Sequence, residues 1–178
     1  MALKSTIFKA DVQISDMDRN YYHLHGLTLA LHPSETEQRM MIRLLAYVLN
    51  ASESLQFGKG LSNEEDAALW DKDLTGEIKL WIDVGLPDEK RIRKASHRAQ
   101  QVIIYCYGEN TASIWWQQNK AKIKAMHNVT VYRVGDSTCD ELGSLCQRTM
   151  RLYCSIMDTQ ITLGSDNNSV EVKLEPLS

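Results

Sequence analysis

Hydrophobic and polar positions alternate at the start of the chain. Phe8, Ala10, Val12 and Ile14 fall on one side and Lys9, Asp11, Gln13 and Ser15 on the other, which predicts a half-buried strand. A polar turn over 16–20 follows, then Leu27, Leu29 and Leu31, so the chain is expected to open with a long hairpin. The period changes after His32-Pro33. Ser34 reads as a helix N-cap with Glu37 completing a capping box, and Met41, Leu44, Leu45 and Val48 form the apolar stripe. Glu35, Arg39 and Arg43 are expected on the opposite face of that helix.

Residues Leu55 to Leu61, with Gly58 and Gly60, read as a short strand, and Asn63-Glu64-Glu65-Asp66 as an acidic loop leading to Trp70. Glu77 to Val84 alternates strongly: Ile78, Leu80, Ile82 and Val84 face one way, Glu77, Lys79, Trp81 and Asp83 the other. Gly85-Leu86-Pro87-Asp88 ends that strand and opens a helix at Pro87 or Asp88, burying Ile92, Ala95 and Ala99 and presenting Arg91, Lys94 and Arg98 together. Val102 to Tyr107 is apolar on both faces, as in a central strand.

A helix over roughly 112–126 and a strand over 129–134 follow. Thr138 to Glu141 resembles a second capping box before a short helix, on one face of which Cys139 and Cys146 would lie. Alternation returns at Leu152, Cys154 and Ile156, at Ile161 and Leu163, and at Val170, Val172 and Leu174, with turns at 158–159 and 164–168. The middle therefore runs α-β-β-β-α-β-α-β between antiparallel ends, and the terminal strands are expected to pair into a second sheet within one compact α/β domain.

Composition narrows the class without naming a function. The chain has 178 residues, is 43% hydrophobic and carries a formal charge of -3, which argues against a bulk electrostatic binder of nucleic acid. No apolar run approaches the ~18 residues of a membrane span. The opening residues lack the apolar core of a secretory signal, and the four cysteines form no zinc spacing or disulfide framework, so reduced thiols and a cytoplasmic setting are expected.

Charge placement in the middle segment carries the chemistry. Acid gathers at 63–66 and base from Lys90 to Arg98, so a focused site is compatible with the negative total. Asp83, at the end of a patterned strand facing a basic helix start, is placed to hold Mg²⁺ beside a phosphate, with Arg91, Lys94 and Arg98 to neutralise it. Alternatively, Glu35 pairs with Arg39 and Asp83 with Lys94 on a solvated rim.

Three segments carry a family resemblance: 30–36 with 39–46 (Ala-Leu-His-Pro-Ser-Glu-Thr, then Arg-Met-Met-Ile-Arg-Leu-Leu-Ala), 81–89 with 91–95, and Trp115-Trp116-Gln117-Gln118-Asn119. Together they resemble the YaeQ family, bacterial proteins whose fold is similar to a compact variant of the PD-(D/E)xK restriction-endonuclease-like fold. The resemblance implies a nuclease-like αβββαβ core over 32–134, with 1–31 and 148–178 forming an additional, mainly antiparallel sheet, all within a single domain of residues 1–178. It also implies a metal-dependent nuclease in which Glu35 is the helical acid, Asp66 and Asp83 bind Mg²⁺, and Lys94 supplies the ammonium. Arg39, Arg91 and Arg98 would bind phosphate. Gly85 stands where the nuclease pattern has its Lys, and Asp71 or Asp73 competes with Asp66 as the second acid. Glu77-Ile78-Lys79 also reads as acid-x-Lys, at the opposite end of its strand.

Two functions follow as expectations: Mg²⁺-dependent hydrolysis of nucleic acid, or a non-catalytic relative that binds nucleic acid or a protein partner through the same residues. The five histidines form no familiar ligand set, although His32 is placed to brace Glu35. Trp115 and Trp116 are read as core rather than base-stacking residues, and Lys120, Lys122 and Lys124 as a solvated face.

Overall fold

The computed structural model describes residues 4–59 and 63–178 and holds four helices and two mixed sheets, an α/β architecture. Gly60 and Leu61, assigned to a strand from the sequence, lie outside the described residues. The described backbone gathers into two compact units, one within residues 1–48 and 137–173 and the other within 49–136 and 174–178.

The first unit holds a five-stranded sheet. Its opening hairpin is β1 (Thr6–Asp16) and β2 (Tyr21–Leu31), followed later by β8 (Thr149–Met157), β9 (Gln160–Gly164) and β10 (Ser169–Val172). The order is β10-β9-β8-β1-β2, with only β1 and β8 parallel. Alternation was sufficient here: Phe8, Ala10, Val12, Ile14, Leu152, Cys154, Leu163 and Val170 are all buried. The two-residue turn Asp158-Thr159 has positive φ at both positions, as hairpin twist requires. Asp18 holds it by accepting both backbone N–H groups at 2.8 and 2.9 Å.

Helix α1 (Glu37–Leu49), which lies in this unit up to Val48, corrects the reading of its start. Thr36, rather than Ser34, caps it: the Thr36 hydroxyl accepts the Arg39 N–H at 3.1 Å, while Ser34 Oγ bonds His32 Nδ1 at 2.7 Å. Glu35 therefore precedes the helix, and Arg43 is buried rather than solvated. The helix α4 (Asp136–Leu145) starts before the expected box and ends before Cys146; Thr138 Oγ1 accepts the Lys173 N–H at 3.0 Å instead of capping.

The second unit is built on the order β11-β7-β6-β5-β4-β3. Its strands are β3 (Leu55–Phe57), β4 (Leu69–Lys72), β5 (Ile78–Val84), β6 (Ala99–Cys106), β7 (Val129–Val134) and β11 (Leu174–Pro176). The last of these pairs with β7, so the alternation through Leu174 spans two sheets. Strands β5, β6 and β7 are parallel and joined by α2 (Glu89–Arg98) and α3 (Glu109–Lys124), as parallel neighbours require. Both helices pack on one sheet face, where Trp81, Ile92, Ala95, Val102, Ile104, Trp115, Ile123 and Val131 form a core. Ala99 starts β6 instead of ending α2, and Asp88 is the cap, accepting the Arg91 N–H at 2.8 Å. Trp81 and Asp83, which the alternation places on one side with Glu77 and Lys79, are both buried because α2 covers that side.

Candidate functional site

In the first unit the site residue is Glu35, buried at the entrance of α1. Arg43 grips it with two bonds, Nε to Oε2 at 2.9 Å and Nη2 to Oε1 at 2.8 Å, and reaches the Ala30 carbonyl at 3.0 Å. Arg39 Nη1 donates to the same Oε2. Spacing explains the arrangement: Arg39 and Arg43 are one helical turn apart, so both point toward the chain entering the helix. Arg43 then continues in line with Tyr47, whose hydroxyl bonds His25 Nδ1 at 3.1 Å, while Tyr21 bonds His25 Nε2 at 2.6 Å. Burial, and then His23, lowers the His25 pKa from its ordinary 6.5.

In the second unit the centre is Asp83, near the C-terminal end of β5. Arg91 donates from Nε to Oδ2 at 2.8 Å and from Nη2 to Oδ1 at 3.0 Å, and the Ala68 N–H adds a third bond to Oδ1 at 3.3 Å. The register does this: Asp83 and Trp81 share the face under α2, and Arg91 and Arg98, two turns apart on the helix, lie over Trp81 at 5.6 and 5.1 Å. Trp70 meets Trp81 edge to face across β4 and β5, with Lys72 above Trp70. The hydrogen bond to Asp83 is the leading reason that the Arg91 pKa is raised.

The acidic loop is drawn onto α2 largely by its backbone. Arg91 Nη1 and Nη2 bind the carbonyls of Glu64 and Asp66 at 2.8 and 2.9 Å, and Arg98 Nη1 binds that of Glu65 at 2.8 Å. Lys94 meets the Glu65 carboxylate at 2.5 Å, so Glu65, rather than Asp83, is its partner. That bond holds the Glu65 carboxyl below its ordinary pKa. Gly58 allows the loop to close on itself: a Cβ there would meet the Ala67 carbonyl oxygen at 1.9 Å.

The expected site residues thus divide by unit. Asp83, Arg91, Lys94, Arg98 and the backbone of Asp66 are joined through α2, while Glu35 and Arg39 are joined with Arg43 in the first unit. The Asp66 carboxylate turns to the Lys59 N–H at 3.1 Å and Asp71 to the Ser52 hydroxyl at 3.1 Å. Glu77 bonds Gln100, and Asp73 ties its own turn through Thr75 and Glu77. The sequence reading missed Arg43 as a ligand of Glu35 and Glu65 as the partner of Lys94. An arginine inside the run Met-Met-Ile-Arg-Leu-Leu was the available signal for the first.

As arranged, these acids do not fit a resident Mg²⁺. Asp83 already accepts three N–H donors, two from a guanidinium that takes the place of a cation, and the Asp66 carboxylate serves its own loop. Among the described residues no three His, Cys, Asp or Glu side chains are gathered as metal ligands. Burial pushes the Cys106 and Cys146 thiols up to about 11 and Cys154 to about 12, so these three are poor nucleophiles near neutrality. No helix among the described residues is long and apolar enough to cross a membrane.

The fold and its guanidinium-clasped carboxylates define an α/β protein of two mixed sheets with a strongly cationic helix on the second. The chain belongs to the YaeQ family, whose model, described as YaeQ protein, matches residues 1–174. It is 44% identical over 174 residues to the uncharacterized protein YaeQ of Escherichia coli K12, covering 98% of this chain and 96% of that protein, and equally so to its counterpart from Salmonella typhi. The crystal structure of YaeQ protein from Xanthomonas axonopodis pv. citri superposes with a TM-score of 0.94 at 41% identity, covering 98% of each chain. That of YaeQ protein from Pseudomonas syringae gives 0.93 at 34%, covering 98% of this chain and 96% of the other.

Proposed function

We propose that this chain binds nucleic acid through the cationic face of α2 and α3 without hydrolysing it, on a nuclease-like core whose metal corner is held by arginine. The observation that carries the reading is the two-bond clasp of Arg91 on Asp83, with Gly85 at the position of the nuclease lysine. A guanidinium there meets the acid's charge and much of its hydrogen-bonding capacity, and leaves no ammonium two residues on to activate water. Gly85 has φ of 107°, a conformation that resists the missing lysine.

Binding is supported by charge. The helices α2 and α3 carry eight Lys and Arg residues against two acids, Glu89 and Glu109. Lys90, Arg93, Lys94, Arg98, Lys120, Lys122 and Lys124 are exposed, so they meet phosphate without prior desolvation. The mean charge of -3 conceals this concentration.

The test is titration of labelled single- and double-stranded DNA and RNA at several salt concentrations, with parallel incubation in Mg²⁺ and Mn²⁺. The expected result is salt-dependent binding, weakened several-fold by Arg98→Ala, with no cleavage. Metal-dependent cleavage that disappears in Asp83→Ala would restore the hydrolytic reading. Absence of binding to any of the four would leave a protein partner as the surviving alternative.

A further inference from the structure

We infer that Glu65 occupies a phosphodiester subsite on α2 as an internal competitor, its carboxylate holding the cations that nucleic acid would take. The inference rests on the binding reading above and adds the place where the first phosphate enters.

Backbone and side chain have separate duties in this loop. Arg91 and Arg98 hold the carbonyls of Glu64, Glu65 and Asp66, so the loop's position is not set by the Glu65 carboxylate. That carboxylate is instead laid against Lys94 Nζ at 2.5 Å and faces Arg98 Nη1 at 3.9 Å. A phosphodiester presents the same single negative charge on two oxygens, and therefore suits the same pair of cations. The side chains of Glu65, Lys94 and Arg98 are 67, 46 and 35% exposed, so the pair is held weakly and exchange needs no opening of the core.

Arg98 keeps its place when the carboxylate leaves. Arg98 lies over Trp81 at 5.1 Å and donates to the Glu65 carbonyl at 2.8 Å, two contacts that do not involve the Glu65 carboxylate. Trp81, whose ring Arg98 overlies, is 1% exposed, and its Nε1–H has no partner among the described residues.

The experiment measures binding of a fluorescent single-stranded oligonucleotide to the full chain and to Glu65→Gln, Glu64→Gln, Lys94→Ala and the Glu65→Gln/Lys94→Ala pair across a salt series. Thermal unfolding of each variant establishes that it is folded. Glu65→Gln is expected to tighten binding about two- to fivefold, the range of an exposed ion pair, and to steepen the salt slope by about 0.7 for one added phosphate contact on a single strand. Glu64→Gln makes the same charge change on a side chain that joins no ion pair among the described residues, and should give the smaller gain. Lys94→Ala should erase the gain when combined with Glu65→Gln, a non-additivity that general charge removal does not produce. Equal tightening by both glutamine variants, or a gain that survives loss of Lys94, overturns the inference. If wild type binds and Glu65→Gln matches it, the subsite falls while the binding reading stands; if no variant binds, both fall.

Discussion

Arg91 and Asp83 are eight residues apart in sequence and joined by two bonds of 2.8 and 3.0 Å, one to each carboxylate oxygen, with Asp83 buried and Arg91 partly so. The pair ties the first turn of α2 to the end of β5, and the remaining Arg91 donors fasten the 64–66 loop to both.

Arg91→Ala should therefore destabilise the protein by about 2–4 kcal/mol, below the upper end for buried pairs because Arg91 keeps some solvent. Arg91→Lys should rescue less than half of this, since an ammonium cannot reproduce a fork of donors. Denaturant unfolding followed by tryptophan fluorescence measures both; a Lys variant as stable as wild type would contradict the geometry.

Removal of the Glu35 carboxylate strands Arg43. Glu35→Ala should cost about 3–5 kcal/mol, because the Arg43 charge remains buried without its acid. Arg43→Ala should cost more than Arg39→Ala, whose side chain is 18% exposed against 6%. The ordering of the three unfolding free energies is the check.

The cap assignment separates two neighbouring hydroxyls. Thr36→Ala should lower stability by about 1 kcal/mol through loss of the helix cap, whereas Ser34→Ala should leave the start of α1 unchanged because its hydroxyl serves His32. Thermal unfolding of the two variants side by side decides between them.

A pH effect follows from His25. Its pKa is lowered in the folded chain below the ordinary 6.5, so the unfolded chain binds the extra proton first as pH falls. The contribution of this group to stability is complete above 6.5 and declines as pH falls toward the folded value. His25→Gln should remove that slope. The stability difference, wild type minus variant, should rise with pH up to about 6.5 and then level when measured from about pH 5 to pH 8. A difference independent of pH would show that His25 does not titrate differently on folding.

How far the sequence reached can be seen in β5. Alternation from Ile78 to Val84 located the strand, and Gly85 to Asp88 located its end and the start of α2, because period and turn chemistry are local properties. The same alternation placed Trp81 and Asp83 on one side with Glu77 and Lys79, without showing that this side is covered. Their burial depends on α2 and α3 folding back over the sheet, which a local pattern does not record. Likewise, the polar spacing on α1 placed Arg43 outside, whereas Glu35, eight residues away, makes its burial possible.

By itself the sequence determined the order of elements, the terminal sheet, the cationic helix and the family, all of which are written in periodicity, punctuation or contiguous motifs. Only the tertiary structure decided the partners. It gave Lys94 to Glu65 and Asp83 to Arg91, turned the Asp66 carboxylate back to its own loop, and sent β11 to the second sheet beside β7. Charged side chains are long and their partners are chosen by which backbones meet, so residue type and spacing leave several pairings equally available until the chain closes.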